Sequence, residues 1–302
     1  MLRPRLRIPR VRLAPGLRQR SLHTMPTLPH DFSEGVPGLL SADGFDMAWN
    51  QYMKHTLDKL NALTEGTELE NRDTKQILHA TARDPDRAPV FNHASMAHNT
   101  HFFFRALTPA PKPIPESLER QLSASFSSID TLRRELTLTA ASMFGPGFVW
   151  LVKTASSTGP STPGSSIYTS GPGGPARAGP STYGPSTPQE QEYKILTTYL
   201  AGTPYPGAHW RQQSQDMNTV GADGSAAPYI RNAQRAQAPN PPRAPGGLEV
   251  IPLLCLSTWE HTWLRDYGVG GKKAFAEAWW DSIDWSVVAD LASIRARPGY
   301  QK

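Results

Sequence analysis

The feature that most constrains the fold of this chain is a change of residue pattern near Gly147. Between Ser41 and Met143 the apolar residues recur at helical intervals, whereas after Gly147 they form short runs bounded by Gly, Pro, Ser and Thr. Such runs are typical of buried strands. The predicted strands are Phe148–Val152, Tyr193–Leu200 and Val250–Leu256. Helices that precede a small sheet, with further helices after it, predict an α+β fold.

Two long helices are predicted in the first half of the chain. The first runs from Ser41 to Leu63 with Ser41 or Asp43 as its cap, and the second runs from Val90 to Leu107. Shorter helices are predicted after Asp73 and at Glu116–Phe126, Asp130–Met143, Trp259–Tyr267, Lys272–Ser282 and Asp284–Arg295. With 302 residues the chain is long enough for one or two domains with a buried core.

Two polar tracts interrupt the strand region. In Ala155–Gln191, 27 of 37 residues are Ser, Thr, Gly or Pro, so this tract has too few apolar side chains to offset its conformational entropy on folding. Residues 203–247 are also loop-like and rich in Ala, Gln, Pro and Asn. We therefore predict disordered insertions at about 155–191 and 203–247.

The first 30 residues contain seven arginines, no lysine and no acidic residue. An Arg-rich start without acids is typical of a mitochondrial presequence, which we predict at residues 1–23 with cleavage near Arg20–Thr24. The alternative is a basic arm that binds nucleic acid. Without these arginines 24 basic residues face 26 acidic ones, so the body of the protein has no overall positive charge with which to wrap RNA.

Several common protein classes are excluded by what the sequence lacks. No run approaches the roughly 20 apolar residues of a membrane-spanning helix, and we predict no membrane association. The single cysteine, Cys255, excludes an internal disulfide and a cysteine-rich zinc site, and its place in a predicted strand favours a buried structural thiol. The sequence also has no Gly-rich phosphate loop and no Gly-x-Ser-x-Gly elbow.

Four segments, in the same order, carry a resemblance to iron/manganese superoxide dismutases. They are His23–Phe32, Phe91-Asn92 with Asn99-Thr100-His101-Phe102-Phe103, Phe144-Gly145-Pro146-Gly147-Phe148-Val149-Trp150-Leu151, and Leu253–His261, which ends in Trp259-Glu260-His261. The resemblance covers residues 23–295 apart from the two insertions. It implies a long-helix hairpin domain at residues 24–110, followed by an α/β domain at residues 115–302 with a three-stranded antiparallel sheet and flanking helices.

The resemblance also implies where a metal would be held. The family uses three histidines and one aspartate, and the matching positions in this chain are Asn50, Asn99, Ser257 and His261. Only His261 keeps a ligand of the family, because amide and hydroxyl groups are weak donors for manganese or iron. We therefore predict no metal, no other cofactor and no dismutase activity.

Other side chains close to these positions have their own interpretation. Four further histidines lie near the ligand positions in sequence: His55, His93, His98 and His101. At about 100° of rotation per helical residue they face away from the ligand side, which favours surface or packing roles. The alternative is a rebuilt metal site, which a one-residue shift of the alignment at His98 would permit. The tyrosine that gates the family's substrate channel and a glutamine beside its metal correspond to Asp58 and Phe144.

A partner interface is predicted around the retained Trp259-Glu260-His261 segment. In the family this glutamate reaches across the dimer to the metal-binding histidine of the other subunit, and a Glu–His pair exchanged twice across a two-fold axis can stabilise an interface without a metal. The predicted interface residues are Trp259, Glu260, His261 and Trp263. The alternative is that Glu260 and His261 are inherited without a present role and that the tryptophans pack the core.

Catalytically inactive relatives of this family occur, as a pair of associated paralogues, in the small subunit of fungal mitochondrial ribosomes. The chain resembles them, which implies a structural constituent of that subunit in the mitochondrial matrix. Its implied partners are the paralogue, other ribosomal proteins and a limited stretch of ribosomal RNA. Arg231, Arg235 and Arg243 are candidates for RNA contact, although solubilising charges are the simpler interpretation. Two alternatives stay open: an active dismutase with a non-standard ligand set, and a matrix interaction protein outside the ribosome.

Overall fold

The computed structural model describes residues 23–82, 84–155, 192–205, 208 and 249–293. Residues 1–22 of the predicted presequence, most of both predicted insertions and the end of the chain lie outside these ranges, and so do Arg231, Arg235 and Arg243. Within them the chain forms helices, then a sheet of three antiparallel strands, then further helices. The predicted α+β fold with a small antiparallel sheet is confirmed.

The N-terminal half of the described chain is helical. It contains α1 (Ala42–Phe45), a π-helical segment (Asp46–Gln51), α2 (Tyr52–Thr64), α3 (Thr74–Thr81) and α4 (Ala88–Arg105). Ser41 Oγ accepts a hydrogen bond from the Gly44 N–H at 3.0 Å, which satisfies a donor that has no partner inside the helix. Asp73 Oδ1 accepts from the Gln76 N–H at 2.8 Å in the same way. Both α2 and α3 pack against α4.

The C-terminal half holds the sheet. Its elements are α5 (Glu116–Phe126), α6 (Ile129–Ser142), β1 (Gly147–Ala155), β2 (Glu192–Tyr199), β3 (Glu249–Ser257), α7 (Glu260–Tyr267), α8 (Lys272–Trp280) and α9 (Trp285–Ser293). The strand order is β2–β1–β3, and both pairs are antiparallel. The register with β3 shifts between Leu151 and Val152, opposite Pro252, which has no N–H to donate to the ladder.

One apolar core joins the helices to the sheet. Its centre is β1, which is buried from Phe148 to Val152 because α6, β2 and β3 pack around it. Cys255 in β3 is fully buried, as predicted, and burial raises the pKa of its thiol well above the usual value. Among the described residues no helix is long and apolar enough to cross a membrane. The division into domains at residues 110–115 stays a prediction.

Candidate functional site

Ser257 and His261 lie on either side of the turn that joins β3 to α7. The Ser257 side chain is 3% exposed, and its Oγ lies 3.0 Å from Thr262 Oγ1, so the two hydroxyls form a hydrogen bond inside the turn. The Trp259 N–H also points toward Ser257 Oγ, at 3.4 Å. Ser257 therefore has local hydrogen-bond partners at the position that the resemblance assigns to a metal-binding aspartate.

The imidazole of His261 is stacked on an aromatic ring from the first long helix. The ring centroids of His261 and Tyr52 are 3.8 Å apart, and their planes differ by 14°. Trp259 lies on the same side, with its ring centroid 5.6 Å from that of His261. Burial lowers the pKa of His261 to about 4, so this histidine is neutral at pH 7. Tyr52 was not among the residues predicted for the site.

Asn99 in α4 is fully buried and joins α4 to the turn that follows β2. Its Nδ2 donates to the Gly202 carbonyl at 2.9 Å and reaches Ser95 Oγ at 3.4 Å. Its Oδ1 is buried without a hydrogen-bond partner in the described part of the chain. The side chain therefore ties two elements of the fold together at the position that the resemblance assigns to a histidine ligand.

Asn50 does not lie where the resemblance implies. It is exposed, and its Nδ2 donates to Asp46 Oδ1 at 2.9 Å, whereas Tyr52 is the residue of this helix that contacts His261. The helix contains a π-helical segment just before Tyr52, and the Tyr52 N–H bonds to the Met47 carbonyl five residues earlier. Each π turn holds more residues than an α turn, so faces assigned at 100° per residue shift from this point onward.

The four predicted ligand positions thus have four different sets of neighbours. No group of three or more His, Cys, Asp or Glu side chains that could hold a metal ion occurs within the described ranges. Iron or manganese requires several imidazole or carboxylate donors that converge on one point, and these four positions supply only one imidazole, one hydroxyl and two amides. These residues do not fit the metal that the resemblance implies.

The other histidines near these positions are also engaged with protein groups or lie at the surface. His93 Nδ1 lies 2.7 Å from the Pro89 carbonyl, and His98 Nε2 lies 2.9 Å from the hydroxyl of Tyr205. His55 is exposed. His101 packs beside Trp49, with ring centroids 6.0 Å apart. Each of the four has a surface or packing environment.

Two of the side chains assigned to the family's site lie at the surface. Asp58 is exposed and pairs with Lys54 at 2.8 Å, one turn earlier on α2. Phe144, matched to a glutamine beside the metal, is 96% exposed, so that assignment is wrong for this chain. It precedes Gly145, whose φ of +94° turns the chain outward before β1. A side chain this exposed does not support a buried metal site.

The predicted interface residues divide into two groups. Trp259, Glu260 and His261 are partly exposed and available for contact. Trp263 is 5% exposed, and its indole N–H donates to the Thr258 carbonyl at 3.2 Å within the chain. Trp263 therefore belongs to the core, because its ring is covered and its only donor is used.

Acid should destabilise this fold through His98 and His261. Burial lowers the pKa of His98 to about 3 and that of His261 to about 4, whereas an unfolded histidine has a pKa of about 6.5. The unfolded chain therefore takes up protons first, and stability falls as the pH drops below about 6.5, by at most about 1.4 kcal/mol per pH unit for each histidine. Urea unfolding at several pH values measures this slope.

The matched control for this pH dependence is the exposed His55. We expect His98→Gln and His261→Gln to flatten the slope between pH 6.5 and 4, and His55→Gln to leave it unchanged. Identical slopes in all three variants would contradict the assignment of the acid response to the two buried imidazoles.

Comparison with known proteins finds two kinds of relative, superoxide dismutases and ribosomal proteins. Residues 225–291 match the C-terminal domain of the iron/manganese superoxide dismutases. Over 126 residues the chain is 31% identical to an iron superoxide dismutase of Nostoc sp., and this alignment covers 41% of the chain and 63% of that enzyme. The resemblance to this family that the motifs predict is confirmed.

Two relatives align over more of the chain than the dismutase does. The chain is 26% identical over 277 residues to small ribosomal subunit protein mS43 of Schizosaccharomyces pombe, which covers 89% of the chain and 83% of that protein. It is 25% identical over 223 residues to small ribosomal subunit protein mS42 of the same yeast, which covers 72% of each. The chain is thus similar both to an iron superoxide dismutase and to two small ribosomal subunit proteins.

Proposed function

We propose that the chain is a structural constituent of the mitochondrial small ribosomal subunit and does not dismutate superoxide. The observation that carries this proposal is the similarity to mS43 over 89% of the chain, against 41% for the Nostoc enzyme. A ribosomal constituent needs a stable fold with binding surfaces and does not need converging metal donors. Its relatives support a mitochondrial location, and we propose the matrix as the compartment.

We propose that Asn99 and Ser257 are replaced ligands and that His261 remains of the ancestral metal site. For Asn50 this assignment has no support, because its side chain is exposed and bonded to Asp46. Two observations support the assignment of the other three residues. Ser257 and Asn99 form hydrogen bonds that stabilise the turn after β3 and the contact between α4 and Gly202. The Tyr52 ring covers one face of the His261 imidazole, so side-chain packing fills the space beside the remaining histidine.

We propose that this chain pairs with a dismutase-like paralogue. The longer alignment is with mS43, which makes a relative of mS42 the expected partner. The proposed interface contains Trp259, Glu260 and His261, together with a surface that we call the Phe144 patch, formed by Phe144, Tyr199 and Leu200, which are 96%, 53% and 59% exposed.

A charged side chain contacts the backbone beside the Phe144 patch. The Leu200 N–H donates to the Pro146 carbonyl at 3.0 Å, which holds Leu200 beside the segment that carries Phe144. Lys272 Nζ donates to the Met143 carbonyl at 2.6 Å, and the charge of Glu260 acts on this same lysine. An exposed apolar group with a charged side chain beside it fits a protein interface with an apolar centre and a polar rim.

The decisive experiment is sedimentation of a mitochondrial lysate on a sucrose gradient, with this protein and its metal content followed together. We expect it to travel with the small ribosomal subunit through moderate salt and to carry no stoichiometric manganese or iron. A chain that stays near the top of the gradient would refute the ribosomal assignment.

The second candidate function is a dismutase with a non-standard ligand set, favoured by the 31% identity to the Nostoc enzyme. A metal-loaded dimer near the top of the gradient, with activity above background, would establish it. A metal-free chain at the top would instead leave an interaction protein of the matrix.

A further inference from the structure

Basic side chains from two helices surround Tyr205, just after β2. The Lys75 ammonium lies 4.8 Å from the centroid of the Tyr205 ring, and the ring centroid of His79 lies 5.1 Å from it. His98 reaches the Tyr205 hydroxyl at 2.9 Å, and the Arg105 guanidinium acts electrostatically on both His98 and Tyr205. We call these residues the Tyr205 cluster: Lys75, His79, His98, Arg105 and Tyr205.

The two permanent charges of the Tyr205 cluster lack compensation by acidic groups. Within the described ranges neither Lys75 nor Arg105 has a carboxylate partner, and Arg105 Nε is buried without a hydrogen-bond acceptor. Asp73, two residues before Lys75, uses its carboxylate to accept from the Gln76 N–H. Positive charge that is held together and partly removed from water is costly, and an anion would offset that cost.

The chemistry of the Tyr205 cluster fits a phosphate group. Lysine ammonium and arginine guanidinium groups are the common protein donors to phosphate oxygens. Lys75 and His79 are exposed, so a chain that carries phosphates can approach from solvent.

The residues that follow Tyr205 in the sequence also carry a net positive charge. Residues 206–247 contain four arginines (Arg211, Arg231, Arg235 and Arg243), two aspartates and no lysine or glutamate. This segment has more basic than acidic residues, whereas the body of the protein is otherwise slightly acidic. A local excess of positive charge favours a limited RNA contact.

We infer that the Tyr205 cluster binds a backbone phosphate of ribosomal RNA, with Lys75 and Arg105 as the charged donors. This inference rests on the proposed ribosomal function. It assigns the RNA contact to the packed surface of α3 and α4, in addition to any contact made by the insertion.

The test is RNA affinity of the purified full chain, measured by fluorescence anisotropy with a labelled single-stranded RNA over a range of salt concentrations. Lys75→Gln should weaken binding about three- to ten-fold at low salt and reduce the slope of log affinity against log salt by about one. Lys75→Arg should restore both, because it keeps the charge. The matched control is Lys273→Gln on α8, which removes another exposed lysine and should change neither quantity.

Two other outcomes would refute binding of an RNA phosphate at the Tyr205 cluster. Equal effects of Lys75→Gln and Lys273→Gln would show that only overall charge matters. Inorganic phosphate that binds in a Lys75-dependent way, without any effect of Lys75→Gln on RNA affinity, would assign the cluster to a free phosphate compound. The phosphate site and the ribosomal function can be refuted separately. If the chain co-sediments with the small ribosomal subunit and Lys75→Gln leaves RNA affinity unchanged, only the phosphate site is refuted.

Discussion

A Phe144→Asp variant should fold like the wild-type chain and fail to associate with its dismutase-like paralogue. The Phe144 side chain is 96% exposed and buries almost nothing in its own chain, so its replacement should change the free energy of unfolding by about 0.5 kcal/mol or less. Aromatic side chains at the centre of an interface commonly contribute about 2 kcal/mol or more. The dissociation constant should therefore rise at least about 30-fold, because a charge would also be buried.

The measurement is co-purification of the two tagged paralogues, followed by titration of the purified pair. Leu138→Asp on α6 is the matched control, because it places the same charge at another exposed apolar side chain, 47% exposed, and should not affect pairing. Glu260→Gln should weaken pairing less than Phe144→Asp, because it alters the polar rim and leaves the apolar centre. Wild-type affinity in the Phe144→Asp variant would place the interface on another face of the molecule.

A Trp150→Ala variant should lose about 3–5 kcal/mol of unfolding free energy, the largest stability effect that we expect from a single side chain in this protein. Trp150 lies in the central strand and is fully buried. Its indole N–H donates to Thr198 Oγ1 on β2 at 3.0 Å, and its ring packs edge-on against Phe102 of α4 at 5.5 Å. Truncation would open a cavity, remove this aromatic contact and leave Thr198 without its donor.

Urea unfolding followed by circular dichroism measures this loss. Trp150→Phe should cost less, about 1–2 kcal/mol, because it keeps most of the ring and removes the hydrogen bond. Tyr199→Ala on the neighbouring strand is the control for a half-exposed aromatic, and its effect should be within about 0.5 kcal/mol. A loss below about 1 kcal/mol for Trp150→Ala would mean that the sheet does not depend on this contact between α4 and β1.

The helices and strands could be predicted closely from local pattern. Ser41 and Asp73 precede apolar residues at helical spacing, and both cap helices in the structure. The strand bounds also follow from short apolar runs, because a strand buried on both faces carries few polar residues. The partners of these strands could not be read from the same pattern, since pairing joins residues such as Trp150 and Cys255 that are about a hundred positions apart.

The candidate site was only partly predictable. The residue types at Asn99 and Ser257 suffice to argue against a metal, because donor chemistry depends on residue identity alone. The contact between Tyr52 and His261 could not be predicted, since it joins two residues that are far apart in the sequence. The exposure of Phe144 was likewise missed, because an aromatic residue before a strand is more often part of a core.

What the sequence alone determined about this protein is its fold class, the elements of that fold and its resemblance to a dismutase-like family with a weakened ligand set. Helical periodicity, helix caps and residue types depend only on neighbouring residues, so they can be read from the sequence alone. The tertiary structure decided which side chains meet: Tyr52 with His261, Asn99 with Gly202, and the basic residues of α3 and α4 with Tyr205. These contacts depend on helix phase and on packing between distant segments, because one additional residue in a turn redirects the side chains that follow it.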